Sequence, residues 1–396
     1  MSSFVLQSDR LWIGDGNQLD GHVVVQDDRI VAVERGKYHG ELPTIDLEGL
    51  ALSPGMIDLM TLGGFDKSLL RDDPLEIARE YVKLGVTSCQ FCTGTLPWDA
   101  QLKIGENVLA AMRHECKNGA RMIGLYLEGP FQQPERTGAS LSEHALPPSE
   151  QNVGRVLADF SEVMTMINVS PGTEGDVQAV QRLREAGKVV SMAHSDAPAD
   201  RVLACVEAGT SVLGHVWNSN SGLIGDSGVQ QPTIEHVALT DDRVCSIHMI
   251  CDGSHVHPVM VRLVLRCRGT ETICLVTDAV QRAGCTDGEY LFEDGRTFVK
   301  RGGVGRTDTG GLCGSGLLLP DHLRNFVKFT GLEPHEAIRC VTYNPARSIG
   351  WDDRIGILAP GRSADLVAWD DNLQVQRVWR AGVEVENLNS LAEVKL

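Results

Sequence analysis

The sequence predicts an α/β fold: a (β/α)8 barrel of the TIM type with a small β-sandwich domain built from both chain termini. Helix–glycine–strand units repeat through the middle of the chain, and short alternating strands precede and follow them. The length of 396 residues allows one large α/β domain with an appendage, or two domains. We place the β-sandwich in residues 1–52 and 354–396, and the barrel in residues 53–353.

The two ends of the chain share a strand-like pattern. Near the start, "FVLQSDRLWIG" and "GHVVVQDDRIVAVERG" alternate apolar and polar residues, with glycine and aspartate turn signals between them. Near the end, "GILAPGRSADLVAWDDNLQVQRVWRAGVEV" has the same pattern. Two β segments that bracket a long middle predict one small sheet domain assembled from both.

The middle of the chain alternates helices and strands. "PLEIAREYVKLG" leads to "VTSCQFCTG", "VQAVQRLREAG" to "KVVSMAHSD", and "ADRVLACVEAG" to "TSVLGHVWN". Gly85, Gly187 and Gly209 stand where the residue after a helix takes a positive φ. Such units predict a parallel sheet with right-handed crossovers, and their number suits a closed barrel. A doubly wound open sheet is the alternative, although its usual GxGxxG after the first strand is missing.

Composition narrows the class of protein. The eleven cysteines are scattered without paired spacing, which indicates a reducing, cytoplasmic compartment rather than a disulfide framework. No leader opens the chain and no apolar run approaches the ~20 residues of a membrane span, so we expect no membrane partner. The net charge of −17, without a basic patch, argues against a nucleic-acid partner.

Ionisable residues follow five of the apolar, strand-like segments. In a barrel, the carboxyl ends of the strands meet on the face where active sites are built. One such residue alone is more often structural than functional, but five converging segments favour a functional site. The residues are Glu128, His194, His215, Asp252 with His255, and Asp278.

One carboxylate and two imidazoles make up the ligand set of a catalytic zinc-type site. A divalent metal there would lower the pKa of a water molecule and polarise a carbonyl oxygen. Asp278 is then the candidate that takes the proton of the water and passes it to a leaving amine. Its structural alternative is an aspartate that caps the helix after a strand.

Several motifs follow one another in order between about Ser53 and Val385: "PGMIDL", "YLEGPF", "VSMAHSDA", "GHVWN", "CDGSHVHP", "LVTDAV", "GGLCGS", "YNPARSIG" and "GRSADLVAWD". With them the chain resembles the amidohydrolase superfamily, and within it the N-acetylglucosamine-6-phosphate deacetylase family. The resemblance implies removal of an acetyl group from an N-acetylated amino sugar. It also implies a homodimer and one divalent metal ion per subunit, zinc first, with iron, manganese or cobalt as alternatives.

The same resemblance assigns roles to individual residues. Glu128, His194 and His215 match the metal ligands of the family, and Asp278 matches its catalytic aspartate. Ser219 replaces an alanine that is usual in the family. The positions that match substrate contacts are Ala139, Asn218, Ser219, Asp252, His255, Leu312, Cys313 and Gly314.

Three departures from the family pattern bear on the metal and the substrate. Met60 and Leu62 stand where many metal-dependent hydrolases have His-x-His, and since neither side chain is a useful zinc ligand we expect no second metal. Ser140 ends "TGAS", where the family commonly has a histidine. An ungapped alignment places Asp226 where members that bind phosphate have an arginine.

An aspartate would repel the phosphate that an arginine binds through paired hydrogen bonds. Either another cation near the rim makes the contact, with Arg136, Arg282 and Lys67 as candidates, or the substrate has no 6-phosphate. We favour the second and expect an N-acylated amino sugar or a related amide. Two other classes stay open: a different amidohydrolase reaction, on a cyclic amide or a D-aminoacyl substrate, and a catalytically silent binding protein.

Overall fold

A computed structural model describes residues 3–114, 118–220, 223–224, 228, 230–291, 295–307 and 311–386. Asp226, the residue at the expected phosphate-arginine position, lies outside them. Within these ranges, none of the helices has both the length and the apolar composition needed to cross a lipid bilayer.

The strands fall into an N-terminal group, a long middle group and a short C-terminal group. In chain order they are β1 (Ser3–Trp12), β2 (Gln18–Gln26), β3 (Arg29–Arg35), β4 (Thr44–Asp46), β5 (Ala51–Pro54), β6 (Met56–Thr61), β7 (Gly63–Gly64), β8 (Lys67–Ser68), β9 (Val86–Thr93), β10 (Arg121–Phe131), β11 (Met164–Val169), β12 (Val189–Met192), β13 (Val212–Leu213), β14 (Leu223–Ile224), β15 (Gln230–Gln231), β16 (Ser246–Ile250), β17 (Ile273–Val276), β18 (Gly288–Leu291), β19 (Thr297–Arg301), β20 (Val304–Thr307), β21 (Leu312–Ser315), β22 (Leu366–Trp369), β23 (Val375–Arg380) and β24 (Val383–Glu384).

The helices lie between the strands of the middle group or follow them. In chain order they are α1 (Pro74–Lys83), α2 (Trp98–Arg113), α3 (Glu150–Phe160), α4 (Asp176–Glu185), α5 (Ala199–Ala208), α6 (Ile234–Thr240), α7 (Pro258–Arg268), α8 (Leu319–Thr330), α9 (Pro334–Ala337) and α10 (Tyr343–Ser348), with short 3-10 turns at Pro134–Arg136, Ser142–His144 and Ile338–Val341.

Eight parallel strands form the barrel, in the order β6, β9, β10, β11, β12, β13, β16 and β17. Backbone hydrogen bonds close it between β6 and the residues after β17. The amide of Asp278 donates to the carbonyl of Met60, and the amide of Leu62 donates to the carbonyl of Ala279, each at 2.9 Å. The predicted fold class is confirmed, and closure rules out the open-sheet alternative.

Helix α1 shows how the repeating unit is built. The side chain of Asp73 caps it by accepting from the amide of Leu75, and Pro74 occupies the first turn, where no amide donor is needed. Its buried face packs Ile77 and Tyr81 into the layer between helices and barrel. Gly85, with φ 82°, then turns the chain into β9, as predicted.

The barrel strands send alternate side chains into two different cores. On β9, Cys89 packs in the outer layer beneath the helices, while Cys92 points into the barrel. Inside the barrel, apolar side chains such as Tyr126 and Val276 share one cluster with Ala346 and Ile355 from the segment after the last barrel strand. The interior is therefore packed, so a site is found at the mouth.

The small domain is one mixed sheet built from both termini, in the order β24, β23, β22, β5, β1, β2, β3, with β4 beside β1. The sheet wraps around, because the amide of Ile30 in β3 donates to the carbonyl of Arg362, just before β22. It encloses its own apolar cluster, which includes Leu6, Val23 and Trp379.

A partly buried ion pair joins this sheet to the barrel. Arg121, at the start of β10, donates to the carboxylate of Asp365 at 2.6 Å and to the hydroxyl of Ser363 at 3.0 Å. The side chain of Asp365 is only 4% exposed. Strand β5 runs directly into β6, so the two parts are linked both covalently and by this pair.

Candidate active site

The predicted site residues gather around one cavity of about 460 Å³ at the carboxyl ends of the barrel strands. All of them line it except Asp252. They are Glu128, Ala139, His194, His215, Asn218, Ser219, His255, Asp278, Leu312, Cys313 and Gly314. Residues that are distant in the sequence converge here because parallel strands end on the same face.

Three of these residues bring their donor atoms to one point. Glu128 lies near the end of β10, and His194 and His215 each stand two positions after a barrel strand. Glu128 Oε1 is 3.0 Å from His194 Nε2 and 2.7 Å from His215 Nε2, and the two ring nitrogens are 2.9 Å apart. Among the residues that the structure describes, this is the one group of three or more candidate metal ligands.

The donor set fits a divalent metal. Neighbouring ligands of a tetrahedral zinc ion stand about 3.3 Å apart, close to the separations found here. His194 Nδ1 donates to the carbonyl of Arg136 at 2.6 Å, which leaves Nε2 to face the other two donors. Such a hydrogen bond behind the ring is how proteins orient a metal-binding histidine.

Glu128 and His215 shift each other's pKa. Burial alone would raise the pKa of Glu128, but hydrogen bonds from His194 and His215, with the charges of these rings, hold that pKa well below its ordinary value. Burial disfavours the charged ring of His215, yet the carboxylate of Glu128 raises its pKa to about 9.

Met60 and Leu62, at the end of the first barrel strand, offer a second metal no useful ligand. Met60 is fully buried in the barrel interior, and Leu62 lines the cavity with an apolar side chain. Neither side chain competes with water for zinc. Leu62 forms part of the cavity wall, while Met60 belongs to the core beneath it.

Asp278 faces the same cavity from two positions after β17. Its backbone has φ 50° and that of His194 has φ 54°, a left-handed conformation that is strained for non-glycine residues and recurs at functional sites. Burial, together with the negative charge of Glu128, raises the pKa of Asp278 to about 7. Among the described residues no helix begins between Asp278 and α8, so it is not a helix cap.

His255 enters the cavity as the partner of a buried carboxylate. Its Nδ1 donates to Asp252 Oδ2 at 2.6 Å, and its backbone amide donates to Asp252 Oδ1 at 2.8 Å. The two side chains are 3% and 0% exposed. Asp252 was predicted to contact the substrate, but here it lies behind His255 and fixes the ring so that Nε2 is left for the cavity.

The loop from Thr137 to Ser140 lies over the candidate metal ligands. Gly138 has φ 63°, a conformation that favours glycine, and a side chain there would also meet Ser219 Oγ at 2.8 Å. Ser140, in place of the expected histidine, accepts a hydrogen bond from the amide of Thr95 at 3.2 Å and lines the cavity. Its hydroxyl therefore joins two loops of the rim.

The cations named from the sequence do not line this cavity. Lys67 pairs with Glu76, Arg282 with Asp66 at 2.8 Å, and Arg136 with Asp196 at 2.9 Å. Arg296 does line the cavity, and it donates to the carbonyl of Ala139 at 2.9 Å.

The sequence reasoning missed Arg296, because it stands in a hairpin and not at the end of a barrel strand. It also missed His248 on β16. This ring is fully buried, and the described residues offer neither of its nitrogens a hydrogen-bond partner. Burial and the charge of His215 lower the pKa of His248 to about 3, so the ring is neutral. A histidine inside a barrel strand was the available signal.

Comparison with known proteins agrees with this geometry. The profile of the amidohydrolase family matches residues 51–385. An N-acetylgalactosamine-6-phosphate deacetylase of Escherichia coli O157:H7 is 33% identical, and the alignment covers 96% of this chain and 98% of that protein. An N-acetylglucosamine-6-phosphate deacetylase of Vibrio furnissii is 29% identical over 95% of this chain and 93% of its own.

Solved structures give the same answer for the whole fold. A mutant N-acetyl-D-glucosamine-6-phosphate deacetylase from Mycobacterium smegmatis, in complex with N-acetyl-D-glucosamine-6-phosphate, superposes with a TM-score of 0.88 at 28% identity, covering 98% of this chain and 100% of that one. The Thermotoga maritima N-acetylglucosamine-6-phosphate deacetylase gives 0.85 at 26% identity, covering 96% and 99%. The chain therefore belongs to the amidohydrolase family, in the group of the N-acetylglucosamine-6-phosphate deacetylases.

Proposed function

We propose that this protein is a metal-dependent hydrolase that removes the acetyl group from an N-acetylated amino sugar carrying a 6-phosphate. The observation that supports this most is the convergence of Glu128, His194 and His215 to within 3.0 Å, with Asp278 in the same cavity. The relatives with this fold, whose names state an acetylated sugar phosphate as substrate, point to the same reaction.

Glu128, His194 and His215 would hold the divalent metal, which when bound activates water and polarises the acetyl carbonyl. Asp278 accepts a proton from the attacking water and later donates it to the nitrogen as the C–N bond breaks. His255, held by Asp252 through Nδ1, donates from Nε2 in its doubly protonated form to the carbonyl oxygen as that atom gains negative charge.

We infer that Arg296 contacts the phosphate. Among the described residues that line the cavity it is the one lysine or arginine, and a guanidinium matches phosphate with paired hydrogen bonds. The second candidate function is deacetylation of an amino sugar without the phosphate. It is favoured by Asp226, which stands where members that bind phosphate have an arginine.

Three finer features belong to the same proposal. We propose one metal ion per chain, because the first strand offers Met60 and Leu62, and we propose zinc because one carboxylate with two imidazoles suits it. We further propose a homodimer in the cytoplasm. The dimer follows from the family resemblance, and the compartment from cysteines that show no paired spacing.

The test is hydrolysis by the zinc-loaded protein of four compounds: N-acetylglucosamine and N-acetylgalactosamine, each with and without the 6-phosphate. Acetate release and metal content are measured together. We expect the phosphorylated sugars to be preferred, and Arg296→Gln to raise their KM while Arg301→Gln, an exposed residue on β19, leaves it unchanged. Preference for the unphosphorylated sugars would favour the second candidate, and no acetate release from any of the four would contradict both.

A further inference from the structure

The cavity has two unlike sectors. One is polar and comes from the strand ends and loops after β10, β12, β13, β16 and β17. The other contains an apolar group, here called the apolar sector, which lies beside Ser68, Thr93 and Thr95 and is made of Leu62, Leu69, Leu70, Leu96 and Ile104. All five come from the first two β/α units of the barrel, between β6 and α2.

The apolar sector begins beside the reacting atoms. The amide of Leu62 donates to the carbonyl of Ala279, the residue after Asp278, at 2.9 Å. On the next strand, Cys92 lines the cavity beside Leu62, and burial followed by the negative charges of Glu128 and Asp278 raises the pKa of its thiol. Leu62 and Cys92 thus flank the space between the metal-binding carboxylate and the proposed base, which is where the amide carbon must sit.

An amino sugar and an acetyl group do not use this much apolar surface. The hydroxyls and phosphate of the sugar need hydrogen-bond partners, and the polar sector supplies Asn218, His255 and Arg296. The acetyl group contributes a single methyl. Five leucine or isoleucine side chains that continue from the reaction centre toward α2 match a longer hydrocarbon chain, which gains free energy from each buried methylene.

We propose that the site prefers amino sugars whose N-acyl group is a straight aliphatic chain longer than acetyl, with about four to six carbons. This rests on the proposed function in its general form, hydrolysis of the amide of an N-acylated amino sugar, and specifies which acyl group is preferred over acetyl. Water adds to the acyl carbon, the C–N bond breaks, and the nitrogen takes a proton. The products are a short-chain fatty acid and the free amino sugar.

The proposal gives the first strand a positive role. Leu62 stands where related hydrolases place a metal-binding histidine. Its backbone amide is hydrogen-bonded to Ala279, the residue after Asp278, which puts this end of the apolar sector next to the proposed base. A leucine at this position then does two things: it removes a ligand for a second metal, and it adds an apolar side chain to the wall that would bind the acyl chain.

The experiment measures kcat/KM for acetyl, propionyl, butyryl and hexanoyl amides of one amino sugar phosphate. We expect an increase of about fourfold per added methylene up to butyryl. Leu62→Asn should lower the butyryl-to-acetyl ratio by about tenfold, because it places an amide in the wall. Leu203→Asn, on α5 and 38% exposed, is the matched control and should leave the ratio unchanged.

The outcomes separate this inference from the proposed function. If acetyl is hydrolysed and the rate falls steadily with chain length, the inference is overturned while the proposed function stands. If longer chains are preferred but Leu62→Asn leaves the ratio unchanged, the apolar sector is not the acyl site. If no N-acyl sugar is hydrolysed, the proposed function itself is wrong and the inference is overturned with it.

Discussion

The two sides of the barrel mouth have opposite chemistry although both are built from strand ends. On one side, β10, β12 and β13 lead into Glu128, His194 and His215, which lie within 3.0 Å of one another. On the other side, β6 and β9 present Leu62 and Cys92. The comparison teaches that a barrel can keep metal-binding residues in one sector of its mouth and place apolar side chains in the next. This is possible because the eight strands are fixed by backbone hydrogen bonds and not by the side chains at their tips.

The largest effect should come from the metal-binding side. Glu128→Gln removes the negative charge that the two histidines and the cation share, so we expect the bound metal to be lost and activity to fall to the detection limit. Metal content after gel filtration and acetate release measure both. Glu135→Gln, an exposed acid in the following turn, is the control and should keep both at the wild-type level. Full metal content in the Glu128 variant would contradict the assignment.

Asp278→Asn should separate metal binding from proton transfer. The asparagine keeps the shape but cannot accept the proton of the water, so we expect kcat to fall by about 10²–10⁴-fold. Metal content should stay at the wild-type value, because Asp278 is not among the three converging ligands. Near-full turnover in this variant would exclude Asp278 as the base.

His255→Asn should cost less, about 10²–10³-fold in kcat, as expected for one lost donor to a developing oxyanion. Asp252→Asn keeps the ring but removes the carboxylate that holds it, and we expect a smaller loss, about 10-fold to 100-fold. Kinetics of the two single variants and the double variant check this order. If Asp252→Asn were as damaging as His255→Asn, Asp252 would have a direct role in the cavity.

On the first-strand side, Asp58 should affect stability instead of catalysis. It is fully buried and accepts hydrogen bonds from the amide and the hydroxyl of Thr277 across the barrel closure. Burial, opposed by these bonds, raises its pKa from 3.8 to about 6. Because the folded state holds the proton of Asp58 more tightly than the unfolded chain does, this group favours folding most below about pH 4. The free energy of unfolding then falls by about 3 kcal/mol as the pH rises from 4 to 6.

Denaturant unfolding of wild type and Asp58→Asn between pH 4 and pH 7 measures this. As the pH rises, the unfolding free energy of the wild type should fall relative to that of Asp58→Asn. A difference that does not change with pH would show that the folded-state pKa is not raised.

The smallest effect is expected at Met60. Met60→Leu conserves volume in a fully buried position, so the unfolding free energy should drop by less than about 1.5 kcal/mol. Metal content and kcat should be unchanged. A loss of bound metal in this variant would mean that the thioether contributes to the metal site.

Some parts of the site could be predicted from the sequence better than others. Strand-end residues such as His194 and Asp278 were found because parallel strands bring their ends together whatever the loops do. For Asp252 a substrate contact stays a prediction: it does not line the cavity but holds His255, an arrangement that sequence spacing does not show. Gly187 was predicted as a helix end from local chemistry alone, and it has φ 74°.

Residues brought to the cavity by long-range folding left no local pattern. Arg296 reaches it from a hairpin, and Ile104 from the second helix, where it reads as an ordinary buried position. The apolar sector could not be predicted for the same reason. Leucine and isoleucine on a helix or loop indicate a core, and only the folded cavity shows that they line a space.

The division of the chain into domains at residues 52 and 353 stays a prediction.

The small sheet also has a consequence for the synthesis of the protein. Strand β5 pairs with β22, and Trp369 Nε1 donates to Ser53 Oγ, a contact that spans 316 residues. At about 5–20 residues per second, a ribosome needs tens of seconds to deliver the partner of β5 after β5 has emerged. During that time the edge of β5 is exposed, since β22 has not been made. The last strands to be translated therefore decide when the first ones are protected from aggregation.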